Sequence, residues 1–324
     1  MCAAPQVPDV LAKILDRKKD EVEALKSQVS ADSAHPIAKA LETEVARKKA
    51  FYNSLNLPKG SLTVIAEIKR KSPSRGVIGT IKDPAVLSRV YNEGGAGAIS
   101  VLTDFEGFGG TMEDLIKVVK TQQRFKGNYP GPCPVLRKDF IIDEIQIAEA
   151  AVGGASAVLL IVAALGKDRT KQLLDATHAM GLDALVEVHD EDELQIALDV
   201  GADIVGVNNR DLRTFNVSLD TSFRLAPLIP EDVIKIAESG ITDCLDAWKL
   251  RDAGFNAILV GETLVTAYEG SAMDSTSYSI GYNQAKGIIK AFKAKGSVEF
   301  GNSSMAAFFG KGEGAKETLG ELSI

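Results

Sequence analysis

Cysteine is scarce in this 324-residue chain: Cys2, Cys133 and Cys244 lie far apart and form no C-x-x-C pair. That spacing excludes a disulfide framework and fits a reducing compartment. Basic residues are not in excess. Lys and Arg total 37 against 44 Asp and Glu, a net charge of −7, so no nucleic-acid partner is expected. Long apolar runs are missing too. The longest, Ala157–Leu165, falls far short of the roughly 20 residues that span a bilayer, so no membrane partner is expected. Met1–Val10 lacks the basic flank and apolar stretch of a secretory signal. No His/Asp/Cys cluster has metal-ligand spacing, so no metal is expected. What remains is 45 % hydrophobic and 25 % charged, the composition of a soluble, mildly acidic, intracellular globular protein.

A phrase recurs along the chain. It reads GGAGAISVL at Gly94–Leu102, GGASAVLLI at Gly153–Ile161, GADIVGV at Gly201–Val207 and AGFNAILV at Ala253–Val260. In each copy a glycine accepts the left-handed backbone that ends a helix, and a buried strand follows. Filling in between gives eight strand candidates: Leu62–Lys69, Ala98–Thr103, Val135–Asp139, Ala157–Val162, Ala184–Val188, Ile204–Asn208, Val233–Glu238 and Ala257–Gly261. Helical patterns separate them. Asp83-Pro84 opens one helix with a cap and a first-turn proline, and Asp190–Glu193 places acids in another's first turn. Eight β/α units over about 210 residues predict a closed (β/α)8 TIM barrel. An open doubly wound sheet would announce itself by a glycine-rich turn after its first strand. Lys69–Gly79 is instead basic and rich in serine and proline, with no G-x-G-x-x-G and hence no dinucleotide cofactor motif.

Three regions are expected. Residues 1–60 form a helical extension packing on the barrel, with an amphipathic helix at Asp9–Ser27 and a second helical stretch at Ile37–Leu55. Residues 61–270 form the catalytic barrel. Residues 271–324 hold a last helix and a flexible tail rich in Gly, Lys and Glu. The runs Arg17-Lys18-Lys19 and Arg47-Lys48-Lys49 read as solvated helix faces. His35 and His178 read as surface residues, His189 as a loop or cap residue, and Cys133 and Cys244 as buried or inert.

Alternate strand residues of a barrel point inward, and the reactive face lies at the C-terminal strand ends. Six of the eight strands finish in polar groups: Glu67 and Lys69, which share parity; Lys138; Glu187; Asn208 and Arg210; Glu238; and Glu262. Any one of these reads equally well as a solvated strand end. As a set, converging charges cost desolvation energy unless a substrate or partners use them. Ser239-Gly240 and Gly261-Glu262 follow strands seven and eight, the usual phosphate corner of this fold, where small residues let backbone N–H groups approach an anion.

These residues resemble a known family. IAEIKRKSPS at Ile65–Ser74 is similar to the signature of indole-3-glycerol phosphate synthase. The likeness continues in PVLRKDF (Pro134–Phe140), LVEVH (Leu185–His189), GVNNRDL (Gly206–Leu212), AESGI (Ala237–Ile241) and LVGE (Leu259–Glu262), and covers about residues 9 to 269. The tail from Ser271 does not share it. The resemblance implies closure of 1-(2-carboxyphenylamino)-1-deoxyribulose 5-phosphate to indole-3-glycerol phosphate, with loss of carbon dioxide and water, without metal or cofactor. It implies that Lys138 is the acid on the ketone, that Glu187 with Lys69 serves dehydration, and that Glu67 holds the Lys69 ammonium. Asn208, Arg210 and Ser72 would orient the substrate, with Glu238 in the same network. Phe108, Phe140 and Leu212 would flank the anthranilate ring, and Ser239, Gly240, Gly261 and Glu262 would hold the phosphate. Members of the family often have serine where Glu262 stands, which leaves its backbone N–H as the contact.

Two other readings stay open on the residues alone. A barrel like phosphoribosylanthranilate isomerase binds a related anthranilate sugar phosphate, but is expected to end its first strand in cysteine rather than Glu67 and Lys69. A non-catalytic phosphate-binding barrel would show gaps among the charged strand ends, and none occurs. The expected partner is a small-molecule substrate, with room for association with other tryptophan-pathway enzymes. The expected location is the cytoplasm, or a plastid if a transit peptide has been removed.

Overall fold

The computed structural model describes residues 9–269, apart from 33 and 213, and residues 278–294. The expected tail, and Cys2, lie outside the described residues.

Apolar strands with glycine at the preceding helix ends give the predicted alternation. After β1 (Thr63–Ile68) and a small hairpin, β2 (Lys71–Ser72) and β3 (Gly76–Val77), come β4 (Ala98–Leu102), β5 (Val135–Lys138), β6 (Ala157–Ile161), β7 (Asp183–Val188), β8 (Ile204–Asn208), β9 (Ile234–Glu238) and β10 (Ala257–Val260). All but the hairpin pair in parallel and close into an eight-stranded barrel in the order β1-β10-β9-β8-β7-β6-β5-β4. Helices α4 (Pro84–Glu93), α6 (Met112–Gln123), α7 (Glu144–Val152), α8 (Val162–Ala179), α9 (Glu191–Asp199), α10 (Asp220–Leu225), α11 (Cys244–Asp252) and α13 (Tyr278–Lys293) cover the outside, with the short α5 (Phe105–Phe108) and α12 (Glu262–Glu269) at strand ends. This is the (β/α)8 fold read from the sequence.

The extension differs from its reading. Helix α1 runs Asp9–Ser30, but Ile37–Leu55 is not one helix: α2 (Pro36–Glu42) and α3 (Ala50–Leu55) are separated by a non-helical link. The cause is a distant anchor. Arg47 reaches Asp183 (2.6 Å) and Asp203 (2.7 Å), while the other Asp183 oxygen accepts the N–H groups of Phe51 and Tyr52 at the start of α3. Asp183 thus caps α3 against the N-terminal ends of the strands. Phe51 and Leu55 are wholly buried there, packing with Ile65, Leu136, Leu185 and Ile204 inside the barrel. Their burial is worth about 2–3 kcal/mol each.

The two basic runs are therefore not simply solvated. Arg47 is anchored, and Lys18 is only 2 % exposed, between Asp104 (2.8 Å) and Asp139 (2.9 Å). His178 is half-buried rather than on the surface, and burial together with the nearby Arg47 lowers its pKa. His35 is half-buried and caps α2 through Nδ1, which accepts from the Ile37 N–H. Cys133 and Cys244 are buried, and burial pushes both thiols up to about 11, so they carry no nucleophile at neutral pH. No helix among the described residues is long and apolar enough to cross a membrane.

Candidate active site

The barrel interior is built by parity. Ile65, Leu136, Leu185, Ile204, Ile236 and Leu259 fill it. Two residues further along the same faces stand Glu67, Lys138, Glu187, Gly206, Glu238 and Gly261. The pleat that buries the apolar layer therefore delivers the polar residues to one ring above it. Two of the positions are glycine for a steric reason. A Cβ on Gly206 would stand 2.2 Å from Glu238 Oε1, and one on Gly261 would stand 2.4 Å from Glu67 Oε1. Both carboxylates occupy space that only glycine leaves free. Gly261 was read as a phosphate contact, and making room for Glu67 is a second role that its sequence context did not signal.

The ring is tightly coupled. Glu67 pairs with Lys69 at 2.7 Å. Lys138 lies 2.9 Å from Glu238 and 3.5 Å from Glu187, and Asn208 donates to Glu187 at 3.2 Å. Burial works against the Lys138 charge, yet Glu238, Glu187 and Glu67 together hold its pKa above the ordinary lysine value. Glu67 is depressed: burial raises it, but Lys69, Lys138 and Arg210 outweigh that. Glu187 is depressed in the same way, by Lys138 and His189 against burial. Glu238 goes the other way, to about 7, because burial and the neighbouring negative charge of Glu187 exceed the help from Lys138. Its Oε1 is buried without a hydrogen-bond partner. Two carboxylates sharing one ammonium hold a proton between them more readily than either would alone.

The ring opens into a cavity of about 530 Å³ lined by every residue in the predicted set. Part of the wall is apolar: the Phe108 and Phe140 rings lie with centroids 6.2 Å apart, and Leu212 also lines the cavity. Ser239, Gly240, Gly261 and Glu262 line it from the ends of the neighbouring strands β9 and β10. Ser239 and Gly240 are both left-handed (φ 65° and 80°). For Ser239 that costs about 1–2 kcal/mol, a strain retained at the corner where backbone N–H groups would meet an anion. Ser72 lies in the hairpin over the mouth, and Arg210 donates to Ser74 in the same hairpin at 3.1 Å. Glu262 pairs with Arg75, so its side chain is engaged by a cation from that hairpin.

The sequence reading missed several wall residues. Val10, Leu11 and Ile14 of α1 line the cavity. Their signal was present in the apolar stripe of α1, but nothing local said what that stripe faces. Arg75 and Phe215 also line the cavity. His189 was read as a loop or cap residue. It does lie in the bend after β7, but its ring, 13 % exposed, packs beside the site, with Nε2 3.5 Å from Glu187 and Nδ1 2.9 Å from Glu193.

Similarity to known proteins decides the assignment. The family profile for indole-3-glycerol phosphate synthase matches residues 11–273. The chain belongs to the indole-3-glycerol phosphate synthase family. A protein of that name from Chlorobium luteolum is 45 % identical over 261 residues, 80 % of this chain and 94 % of the relative. One from Opitutus terrae is 43 % identical over 274 residues, 82 % of this chain and 97 % of the relative. Among solved structures, a designed cube-shaped protein cage aligns at TM-score 0.51 and 13 % identity, over 81 % of this chain and 82 % of that one, a likeness of fold alone. The indole-3-glycerol phosphate synthase match spans α1, the whole barrel and α12, so the docked helix and the polar ring lie within the family's own boundaries. No group of three or more His, Cys, Asp and Glu able to hold a metal occurs among the described residues.

Proposed function

We propose that this mouth carries out the family's reaction as a cytoplasmic carboxy-lyase, using only its own side chains. The aromatic ring of 1-(2-carboxyphenylamino)-1-deoxyribulose 5-phosphate would lie between Phe108, Phe140 and Leu212, where a flat apolar group gains most from burial. Its phosphate would meet the backbone of Ser239, Gly240, Gly261 and Glu262. Arg210 and Ser72 would hold the polar middle of the substrate.

The ring carbon bearing the carboxylate then attacks the ketone carbon, and negative charge builds on the ketone oxygen. Lys138 answers that charge. A lysine held above its ordinary pKa does not release its proton to a neutral ketone. It donates a charge-assisted hydrogen bond first and transfers the proton as the oxygen becomes alkoxide-like. Carbon dioxide leaves, restoring the aromatic ring. Loss of the new hydroxyl as water then needs an acid and a base. Lys69, steadied by Glu67, and Glu187, oriented by Asn208, stand on opposite sides of the mouth for that step. Glu238 shares the Lys138 ammonium and keeps it aimed inward. A soluble sugar-phosphate product suits transfer to the next tryptophan-pathway enzyme, with which this protein would associate only transiently.

The observation that carries this reading is the single buried ring of Glu67–Lys69 and Lys138–Glu187–Glu238 between an apolar wall and a glycine-rich corner. Incubating the protein with the carboxyphenylamino deoxyribulose phosphate, without added metal or cofactor, is expected to yield indole absorbance and fluorescence. Unchanged substrate at micromolar enzyme contradicts it.

A further inference from the structure

The reaction proposed above has a proton deficit. The substrate enters as a carboxylate and leaves as carbon dioxide, water and an uncharged ring, so each turnover consumes one proton. Lys138 and the acid of the dehydration step together give up two protons, and the base recovers one. While the substrate fills the mouth, a group already inside is the nearest source of the missing proton.

His189 is placed to hold it. The residue sits in the bend just after β7, two positions beyond Glu187, and its ring is clamped from the rim. Glu193 Oε2 accepts from the His189 backbone N–H at 2.8 Å and meets ring Nδ1 at 2.9 Å. That contact fixes Nδ1 as the protonated nitrogen and turns Nε2 inward. Nε2 is buried, has no hydrogen-bond partner, and lies 3.5 Å from Glu187 Oε1. Glu187 in turn lies 3.5 Å from Lys138 Nζ. Carboxylate, imidazole and acceptor stand in the order of a general-acid relay, and the 3.5 Å gap from Nε2 to Glu187 has to shorten to hydrogen-bond distance for the proton to pass.

We propose that His189 is the proton store of this site: its Nε2–H passes to Glu187, and Glu187 passes a proton to the Lys138 amine that has given one to the substrate. The Nε2–H bond breaks as a Glu187 O–H bond forms. That O–H then breaks as the ammonium is restored, which leaves Glu187 ionised again before it serves as the base of the dehydration step. The neutral ring keeps Nδ1–H on Glu193 and regains its Nε2 proton from water once product has left. This role rests on the functional reading above. His189 acts through Glu187 and is a positioning residue, not one that touches substrate.

The surroundings favour a charged ring at rest. Burial opposes protonation, but Glu193 on α9, Glu187 on β7 and Glu238 on β9 raise the His189 pKa, while Lys138 lies beyond the two acids. A store of this kind is filled below its pKa and empties as pH rises through it, so kcat falls on the alkaline side.

The test is the kcat–pH profile of wild type, His189→Asn and Glu193→Gln. Wild type is expected to lose kcat in a one-proton alkaline step. His189→Asn is expected to lose about tenfold in kcat at neutral pH, with KM within twofold, and to lose that step. Glu193→Gln keeps the ring and an acceptor for its N–H but removes a negative charge, so the step moves to lower pH. An alkaline limb unmoved in either variant overturns the store while leaving the functional reading intact. Should His189→Asn fail to fold, the Glu193→Gln limb decides alone. Wild type that forms no indole product overturns the functional reading and the store with it.

Discussion

Two largely enclosed lysines are placed by consecutive residues at the end of β5. Lys138 itself points inward, and Lys18 of α1 pairs with the next residue, Asp139. Around Lys18 every acid is answered. Asp104 also binds Arg17 and the Gly107 N–H, and Asp139 also binds Arg137, Thr103 and the Phe140 N–H. Around Lys138, Glu187 and Glu238 share one ammonium, and one oxygen of Glu238 has no partner. The closed cluster docks a helix. The open one faces a cavity and retains chemistry for something that enters it. Burial and charge do not distinguish the two; the balance of donors and acceptors does.

The largest effect expected on the open side is in Glu187→Gln, which keeps shape and hydrogen bonding but not the base. Its kcat should fall by about 10²–10⁴-fold, with dehydration slowed more than ring closure in pre-steady-state traces. A change below threefold would place Glu187 with the closed cluster. On the closed side, Lys18→Met leaves two buried carboxylates short of a cation. It should cost about 3 kcal/mol in denaturant unfolding and raise KM, because α1 supplies Leu11 and Ile14 to the cavity wall. Full stability in this variant would mean that the cluster does not dock the helix.

The smallest expected effect separates the clusters by pH. Glu238 has a folded pKa of about 7 against an ordinary 4.5. Between those values the folded state holds more protons than the unfolded one, so stability falls as pH rises through that window. Glu238→Gln removes the fall. The variant should be more stable than wild type at pH 8, by about 1–3 kcal/mol, with the gap closing towards pH 4.5. A constant gap would show that Glu238 is as well satisfied as Asp139.

The contrast also explains what could be read in advance. The eight strands were legible because both faces are buried and glycines punctuate them. The ring was legible because Glu67, Lys138, Glu187 and Glu238 interrupt apolar strands at one end. Lys18, Arg47 and His189 were not, since each owes its role to partners brought by the fold: Asp104 and Asp139, Asp183 and Asp203, and the inward turn of Glu187. The break between α2 and α3 is of the same kind. Local propensity there yields to a carboxylate on β7 that caps α3.

The most direct test sets the two lysines against each other in one assay. Lys138→Met and Lys18→Met are compared for kcat on the carboxyphenylamino deoxyribulose phosphate, at saturating substrate and a temperature where both are folded. Lys138→Met should lose at least about 10²-fold, because its interaction strengthens as the ketone oxygen gains charge, whereas Lys18→Met should stay within about threefold of wild type. Equal losses in kcat would contradict the account, because the open and closed clusters would then be doing the same work.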